Sequence, residues 1–420
     1  MLPHHAMEAN FNRASSRRIS WTRNDLILVL VYVMVFGVQA KLVVEASQYG
    51  DTCSNLQRYN STKMSQVLEH LRKINKPATK SIESPDGDII DCIDRYKQPA
   101  FDHPLLKNHK IQDTPNMPVH IKRMNITGFA IDNAQSWHVN GECPEGTIPV
   151  RRTSVEDLMR AKSLQHYGKK DVIANSHEYA LVSVDGKYYG AQGRITVWNP
   201  RVEKEEFSVS QIWVHSGSAE DSTLNSVEAG WQVDFPLYGD SRTRLFIYWT
   251  ADAYHKTGCY NLKCPGFVQQ SRKITLGGTI WPISSYNGKL TAITINIWKD
   301  PQSKNWWMAF ENEPVGYWPS QLFTNLDHAS TVQWGGEIAN LQTDGHHTTT
   351  QMGSGHFAEE GDGKSSHFRA LKTVDDKNKL SDVGDYNTIA TNAKCYNIKG
   401  HTGSDNRAYY GGPGRNANCP

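Results

Sequence analysis

Thr291-Ala-Ile-Thr-Ile-Asn-Ile-Trp298 alternates apolar and polar residues almost without a break. A β-strand sends successive side chains to opposite faces, so this spacing sets Ile293, Ile295 and Ile297 on one face. Arg244-Leu-Phe-Ile-Tyr-Trp-Thr250 is strand-like and nearly continuous in aromatic and branched residues. From about His177 onward, short segments rich in Val, Ile, Thr, Trp and Tyr alternate with clusters of Gly, Asn, Asp and Pro. No long helical period and no βαβ alternation occurs there. The pattern predicts a mainly β domain, an antiparallel β-sandwich of two packed sheets, jelly-roll-like in character.

The chain upstream has a different texture. Met64, Val67, Leu68, Leu71 and Ile74 recur at helical spacing, and Pro77 stops the run. A second short helix is expected to begin at Thr153, with Glu156 three positions on closing a capping box. Gln165 to Ser176 is polar, with few apolar anchors and no period, and reads as an exposed linker of the kind proteases cut. A smaller mixed α/β region thus precedes the sandwich.

Arg13, Arg17, Arg18 and Arg23 precede the apolar run Leu26–Phe36, and Val38-Gln39-Ala40 offers small residues for cleavage. This is a signal-peptide pattern. About 13–15 apolar residues fall short of the roughly 20 that a spanning helix needs, so secretion rather than anchoring is expected. Net charge is +2 over 420 residues, with Lys and Arg dispersed, and gives no electrostatic footprint for nucleic acid. The seven cysteines fit an exported protein with a modest disulfide framework. The acceptor sequons Asn60-Ser-Thr62 and Asn125-Ile-Thr127 are expected to carry glycans.

The chemistry concentrates in two stretches, Val227-Glu228-Ala229-Gly230-Trp231-Gln232 and Gln333-Trp334-Gly335-Gly336-Glu337-Ile338. Each sets one Glu beside Gly and Trp within strand-forming residues, and the elements recur in nearly reversed order. A carboxylate with apolar neighbours is costly to bury ionised and tends to a raised pKa or a shared proton. Two such groups in one cleft make an acid–base pair able to activate water. They are expected on neighbouring strands of one sheet, within direct or one-water reach, in a solvent-accessible cleft. Spacing alone leaves open that each is a solvated strand residue or a partner for Arg. Trp231 and Trp334 are candidate cleft walls, because each lies within three residues of a Glu.

Other chemistries fare worse. His177-Glu178-Tyr lacks the second His of a zinc-protease helix. No Gly-x-Ser-x-Gly occurs in the β-rich region. His346, His347, His356 and His367 cluster without carboxylates at ligand spacing and read as solvated loop histidines, so no metal site is assigned. Gly411-Gly412-Pro413-Gly414 reads as a turn, not a phosphate loop.

The ordered series QIWV, EAGWQV, PLYGD, TRLFIYWTAD, TGCYNLKCPGFVQ, NWWM, VGYWP, WGGEI, TTTQMGSGHF and YYGGPGRNANC resembles the plant neprosin family of glutamic prolyl endopeptidases. The resemblance covers roughly residues 175–420 and extends upstream through SPDGDIIDCIDRYKQPAFDHPLLKNHKIQ and CPEGTIPVRRTS, which match its activation peptide. It implies a signal peptide (1–40), an activation peptide or pro-domain (41–170) and a catalytic β-sandwich (171–420), with Glu228 and Glu337 as the catalytic pair. It also supports Cys259–Cys264 as a tight loop clamp and Cys395–Cys419 as a fastener of the C-terminal segment. Cys92 and Cys143 are then left to pair within the pro-segment, with Cys53 over.

The function expected on this footing is a secreted glutamic endopeptidase, extracellular, cell-wall or vacuolar, made as a zymogen and cutting on the carboxyl side of proline at acid pH. It would need no cofactor, take peptide or protein substrates, act as a monomer, bind no nucleic acid and, once the signal is cleaved, no membrane. Its own pro-domain would be an intramolecular inhibitor, with residues 41–165 covering the cleft. Two other functions compete: a two-carboxylate glycoside hydrolase, and a non-catalytic cell-wall or carbohydrate-binding β-sandwich using Trp as stacking platforms. Val233-Asp234-Phe235-Pro236 and Leu276-Gly-Gly-Thr-Ile-Trp281 depart from the family pattern and are expected to reshape substrate subsites.

Overall fold

The computed structural model describes residues 61–119, 135–170, 176–401 and 406–420. Leu26–Phe36, Cys53 and the glycan acceptors Asn60 and Asn125 lie outside them. The Met64–Ile74 pattern forms helix α1 (Ser61–Ile74). Its buried Val67 packs with Leu158 and Tyr167. Helix α2 (Val155–Arg160) starts one residue later than expected, because Ser154 is the N-cap and Asp157, not Glu156, closes the capping box. Thr153 is already engaged: its N–H donates to Asn75 and its hydroxyl accepts from Tyr167.

Strands β1 (Ala78–Glu83), β2 (Ile89–Asp94) and β3 (Thr147–Arg151) form a three-stranded antiparallel sheet. The Cys92–Cys143 disulfide sits among Ile82, Ile90 and Trp137 beside it. The remaining strands make two large antiparallel sheets. One has six strands, β4 (His177–Tyr188), β6 (Phe207–Ser216), β7 (Asn225–Asp234), β8 (Arg244–Thr250), β13 (Ala329–Ala339) and β16 (Asn387–Ala390), in the order β16-β4-β13-β6-β7-β8. The other has nine. Its main path runs β17 (Asn397–His401), β18 (Arg407–Gly411), β14 (Ser366–Val374), β5 (Gly190–Thr196), β10 (Ala292–Lys299), β11 (Trp306–Phe310), β12 (Glu313–Trp318) and β9 (Val268–Gln269). The ninth, β15 (Leu380–Asp382), pairs with β14. A short helix, α3 (Phe235–Tyr238), follows β7 and is capped by Asp234, which accepts from Leu237 N–H at 2.9 Å.

The sheets pack face to face as expected. Ile293, Ile295 and Ile297 join Ile212, Val227, Ala229, Ile247 and Val332 in one core. The Cys259–Cys264 and Cys395–Cys419 disulfides are both formed.

β10 is buried on its other face as well, and the upstream region is the reason. Trp307 Nε1 donates to Gln112 at 3.0 Å, Trp298 Nε1 donates to the Asn116 carbonyl at 3.1 Å, and Gln112 N–H donates to Tyr317 at 2.9 Å. Trp298, Trp307 and Tyr317 are all fully buried. Burying one such side chain contributes about 1.5–3 kcal/mol. A chain starting at His177 should therefore expose a contiguous aromatic strip and aggregate on expression, while supplying residues 61–170 as a separate chain restores soluble yield. Equal soluble yields with and without the upstream region, by size-exclusion chromatography, would contradict this.

Candidate active site

The strand register brings the two Glu motifs onto one face. Glu228 lies opposite Trp213, Gly230 opposite Gln211, Gly335 opposite the same Gln211, and Glu337 opposite Val209. Opposed residues share a face and every second residue returns to it. Glu228, Gly230, Gln211, Gly335 and Glu337 therefore all project from the outer face of the six-stranded sheet. β7 and β13 both run antiparallel to the intervening β6, hence parallel to one another. That explains the reversed motif order. Glu-Ala-Gly on β7 and Gly-Gly-Glu on β13 each set a bare glycine at the level of Gln211, with the carboxylates standing diagonally on either side of the row Gly230–Gln211–Gly335.

The two Glu are thus not on neighbouring strands: β6 separates them, and they are staggered by four positions along it, from Trp213 to Val209. Nor is the cleft open, since Glu228 is 1 % exposed and Glu337 fully buried. Lys170, from the stretch read as an exposed linker, fills the space between. Its ammonium donates to Glu337 Oε2 at 2.9 Å and lies 5.2 Å from the Tyr254 ring centroid and 6.0 Å from that of Phe207. Tyr254 in turn donates to Glu228 Oε1 at 2.6 Å.

Glu337 is the more heavily partnered carboxylate. His177 Nδ1 sits 2.5 Å from Oε1, Tyr179 donates to the same oxygen at 3.3 Å, and Gln211 Nε2 donates to Oε2 at 3.2 Å. Burial alone would raise its pKa, but Lys170 and His177 outweigh burial and hold the carboxyl at about 2. Burial likewise works against the charged Lys170, and Glu337 and then Glu228 reverse that, raising the ammonium above its usual value. Glu228 Oε1 accepts from Ser226 at 2.7 Å as well as from Tyr254. Burial and the neighbouring carboxylates push the phenols of Tyr179 and Tyr254 well above their ordinary range, so both remain hydrogen-bond donors.

Trp231 and Trp334 do not wall this cleft. Each is three residues from its Glu, and an odd spacing on a strand means the opposite face. Both are fully buried between the sheets, their indole N–H groups donating at 3.0 Å to the carbonyls of Thr196 and Gln192. Gly193 makes room for Trp334: a Cβ there would sit 2.9 Å from the indole. The Glu face instead carries Trp213, Tyr179, Tyr248 and Phe246, with the Trp213 ring centroid 6.4 Å from that of Tyr179. Trp334→Ala should accordingly destabilise the fold by about 3–5 kcal/mol, the usual cost of such a cavity. A changed KM with unchanged urea midpoint would return Trp334 to the cleft.

The pro-segment covers the site differently from expectation. Residues 109–117 lie on the outer face of the other sheet, and Gln98 and Asp88 reach Gln269 and Arg244 beside the nine- and six-stranded sheets. Among the described residues of the pro-segment, the stretch around Tyr167–Lys170 is the one that reaches the two Glu, through Lys170. Tyr167 is buried and accepts from Lys263 at 2.6 Å, so Tyr167–Lys170 is not solvated as expected for the linker Gln165–Ser176, of which residues 171–175 lie outside the described residues. Thr279 and Leu276, in the second departing segment, contact Asp86 and Val150 of the pro-segment.

Of the four clustered histidines, His346 is exposed as expected and the other three go to different partners. His347 bonds Glu178 at 2.9 Å, His356 bonds Glu360 at 2.8 Å, and His367 is buried against Tyr409, not solvated. His347 lies near Cys395 and Cys419, but their sulfurs are joined to each other. His177, Tyr179, Gln211, Ser226, Tyr254 and Lys170 were not singled out from the sequence for this site. For His177, Tyr179, Gln211 and Ser226 the strand parity was legible; for the other two it was not.

The sequence matches the family model described as Neprosin over residues 204–413 and the one described as Neprosin activation peptide over residues 81–192. Among solved structures, a scytalido-glutamic peptidase bound to a peptide-based transition-state analog is 9 % identical, covering 58 % of this chain and 100 % of that one with a TM-score of 0.32. SCP-B, a member of the Eqolisin family of peptidases in complex with the tripeptide Ala-Ile-His, is 8 % identical, covering 57 % and 98 % with a TM-score of 0.30.

Proposed function

The chain belongs to the neprosin family, and from that premise we propose that it is a secreted, monomeric glutamic endopeptidase, made as a zymogen, that cuts on the carboxyl side of proline at acid pH. The observation that carries this reading is the pair Glu228 and Glu337 flanking a floor of two bare glycines and Gln211. A peptide laid along that floor has one carboxyl group on each side.

Glu337 keeps His177, Tyr179 and Gln211 as partners after Lys170 leaves, and these favour its ionised form. It is the base that takes a proton from the attacking water. Glu228, among hydroxyls, holds a proton and donates it toward the scissile carbonyl, stabilising the charge that develops there. The proton then passes to the leaving amine. Because the two carboxylates stand one strand out of adjacency, water and peptide lie between them, and the directly shared proton expected from neighbouring strands is replaced by action from two sides.

The test is an acid-treated recombinant precursor assayed on paired peptides that differ only by proline at the cut. Cleavage after proline with an acid optimum supports the reading. Peptide cleavage indifferent to proline keeps the peptidase and removes the specificity. No peptide cleavage at any pH, with binding or hydrolysis of a cell-wall glycan, overturns it.

A further inference from the structure

Tyr254 stands in a conformation that its residue type avoids. Its φ is 67°, and Ala253 before it has φ 55°, two consecutive left-handed residues without a glycine. A bulky side chain there is an outlier, and such outliers persist only where surrounding structure fixes them. The bracing is visible. Asp252 accepts from the backbone N–H groups of Lys256 and Thr257 and from the Thr257 hydroxyl at 2.6 Å. Thr250 Oγ1 accepts from Tyr254 N–H at 2.8 Å, and Ala253 N–H donates to the Leu224 carbonyl at 2.9 Å. This bracing sets the Tyr254 hydroxyl on Glu228 Oε1. Ser226, two residues before Glu228 on the same face of β7, donates to that same oxygen.

A carboxylic acid carries its proton on one oxygen, and an oxygen already accepting two hydrogen bonds is the carbonyl oxygen. We infer that Tyr254 is a positioning residue that, with Ser226, reserves Oε1 as acceptor and so confines the catalytic proton of Glu228 to Oε2. This rests on the peptidase reading, and extends it by naming which oxygen works and what selects it. The charged and titratable groups facing Glu228 are Lys170 from the pro-segment, Tyr179 on β4, Tyr248 on β8, Tyr254 and Tyr260 on the following loop, and Glu337 on β13. Lys170 leaves on maturation, the phenols stay neutral and Glu337 stands across β6, so Tyr254 and Ser226 are the donors set on Oε1 in the working enzyme.

Tyr254→Phe keeps the ring and removes the donor. In acid-processed enzyme, kcat should fall roughly ten-fold, the value of one hydrogen bond of about 1.4 kcal/mol, with KM little changed. Removing a donor that distinguishes the two forms of the acid should also move the alkaline limb of the kcat profile. Ser226→Ala should act the same way, and the double variant more strongly. An unmoved profile, or a lowered Tm with KM and kcat falling together, makes Tyr254 merely structural and overturns the inference. A second measurement is independent of turnover: the infrared carboxyl band assigned in the full-length chain by subtracting Glu228→Gln. In Tyr254→Phe that band should shift to higher frequency, and an unchanged band overturns the inference even if wild type cuts no peptide. Wild type active with an unchanged Tyr254→Phe sinks this inference alone; inactive wild type sinks the peptidase reading.

Discussion

Glu228→Gln and Glu337→Gln are each expected to abolish peptide hydrolysis while leaving the β-sandwich folded. Glutamine keeps the shape of the side chain and part of its hydrogen bonding, but it neither accepts nor supplies the catalytic proton. A general acid or base typically contributes about 10²–10⁴-fold, so either loss should be plain in an assay of the processed enzyme. The structure also separates the two variants. Glu337→Gln leaves Lys170 buried without its anion, so the precursor should be destabilised and its Tyr167–Lys170 stretch loosened. Glu228→Gln keeps the Lys170–Glu337 pair and should leave precursor stability nearly unchanged. Retained activity in either folded variant removes that residue from the pair. Equal urea midpoints for wild type and Glu337→Gln precursors would show that the Lys170 contact contributes little.

Lys170→Met should switch the uncut precursor on. The wild-type ammonium is the main attraction holding Glu337 ionised. Removing it leaves a buried carboxylate, a change that typically costs about 3–5 kcal/mol. Lifting the Tyr167–Lys170 stretch off the Glu face relieves that cost without unfolding either sheet, so local opening is the expected response. Basal hydrolysis by the uncut variant should rise at least about ten-fold over wild-type precursor, a shift of 1.4 kcal/mol in the closed–open balance. Lys170→Arg, which keeps the charge, should stay latent.

The same pair sets the direction of the pH response. Glu337 has a folded pKa of about 2, below its usual 4.5, so its stabilising effect is present above the usual value and is lost as pH falls through about 2. Asp86, which accepts from Thr279 across the same boundary, is likewise depressed to about 2 because its hydrogen bonds outweigh burial. The precursor should therefore hold its pro-segment near neutrality and loosen it across the window from about 4.5 down to about 2. Lys170→Met should loosen at higher pH than wild type, read by protease sensitivity of residues 165–176. A variant as silent as wild type throughout that window would mean that the body of the pro-segment, not Lys170, enforces latency.

The Ile293-Ile295-Ile297 alternation, the helix over Ser61–Ile74 and the β-rich texture after His177 were legible because each is a local period acting on a single element. The three disulfides were legible because the cysteines and the resemblance left few pairings. The Tyr167–Lys170 part of the expected linker was misjudged because Lys170 looks solvated until a carboxylate elsewhere in the chain gives its ammonium a buried partner. Trp231 and Trp334 were misassigned although the information was local: proximity along the chain was weighed where parity along a strand decides the face.

By itself the sequence determined the sandwich, the family and the two carboxylates, since strand period, motif order and residue chemistry are written along the chain. Only the tertiary structure decided that β6 lies between the two Glu, that Gln211 and two glycines form the floor, and that Lys170 reaches one carboxyl and Tyr254 the other. The reason is physical. A strand fixes which way its side chains point, but which strands become neighbours, and which distant group neutralises a buried charge, is settled by packing among residues far apart in the chain.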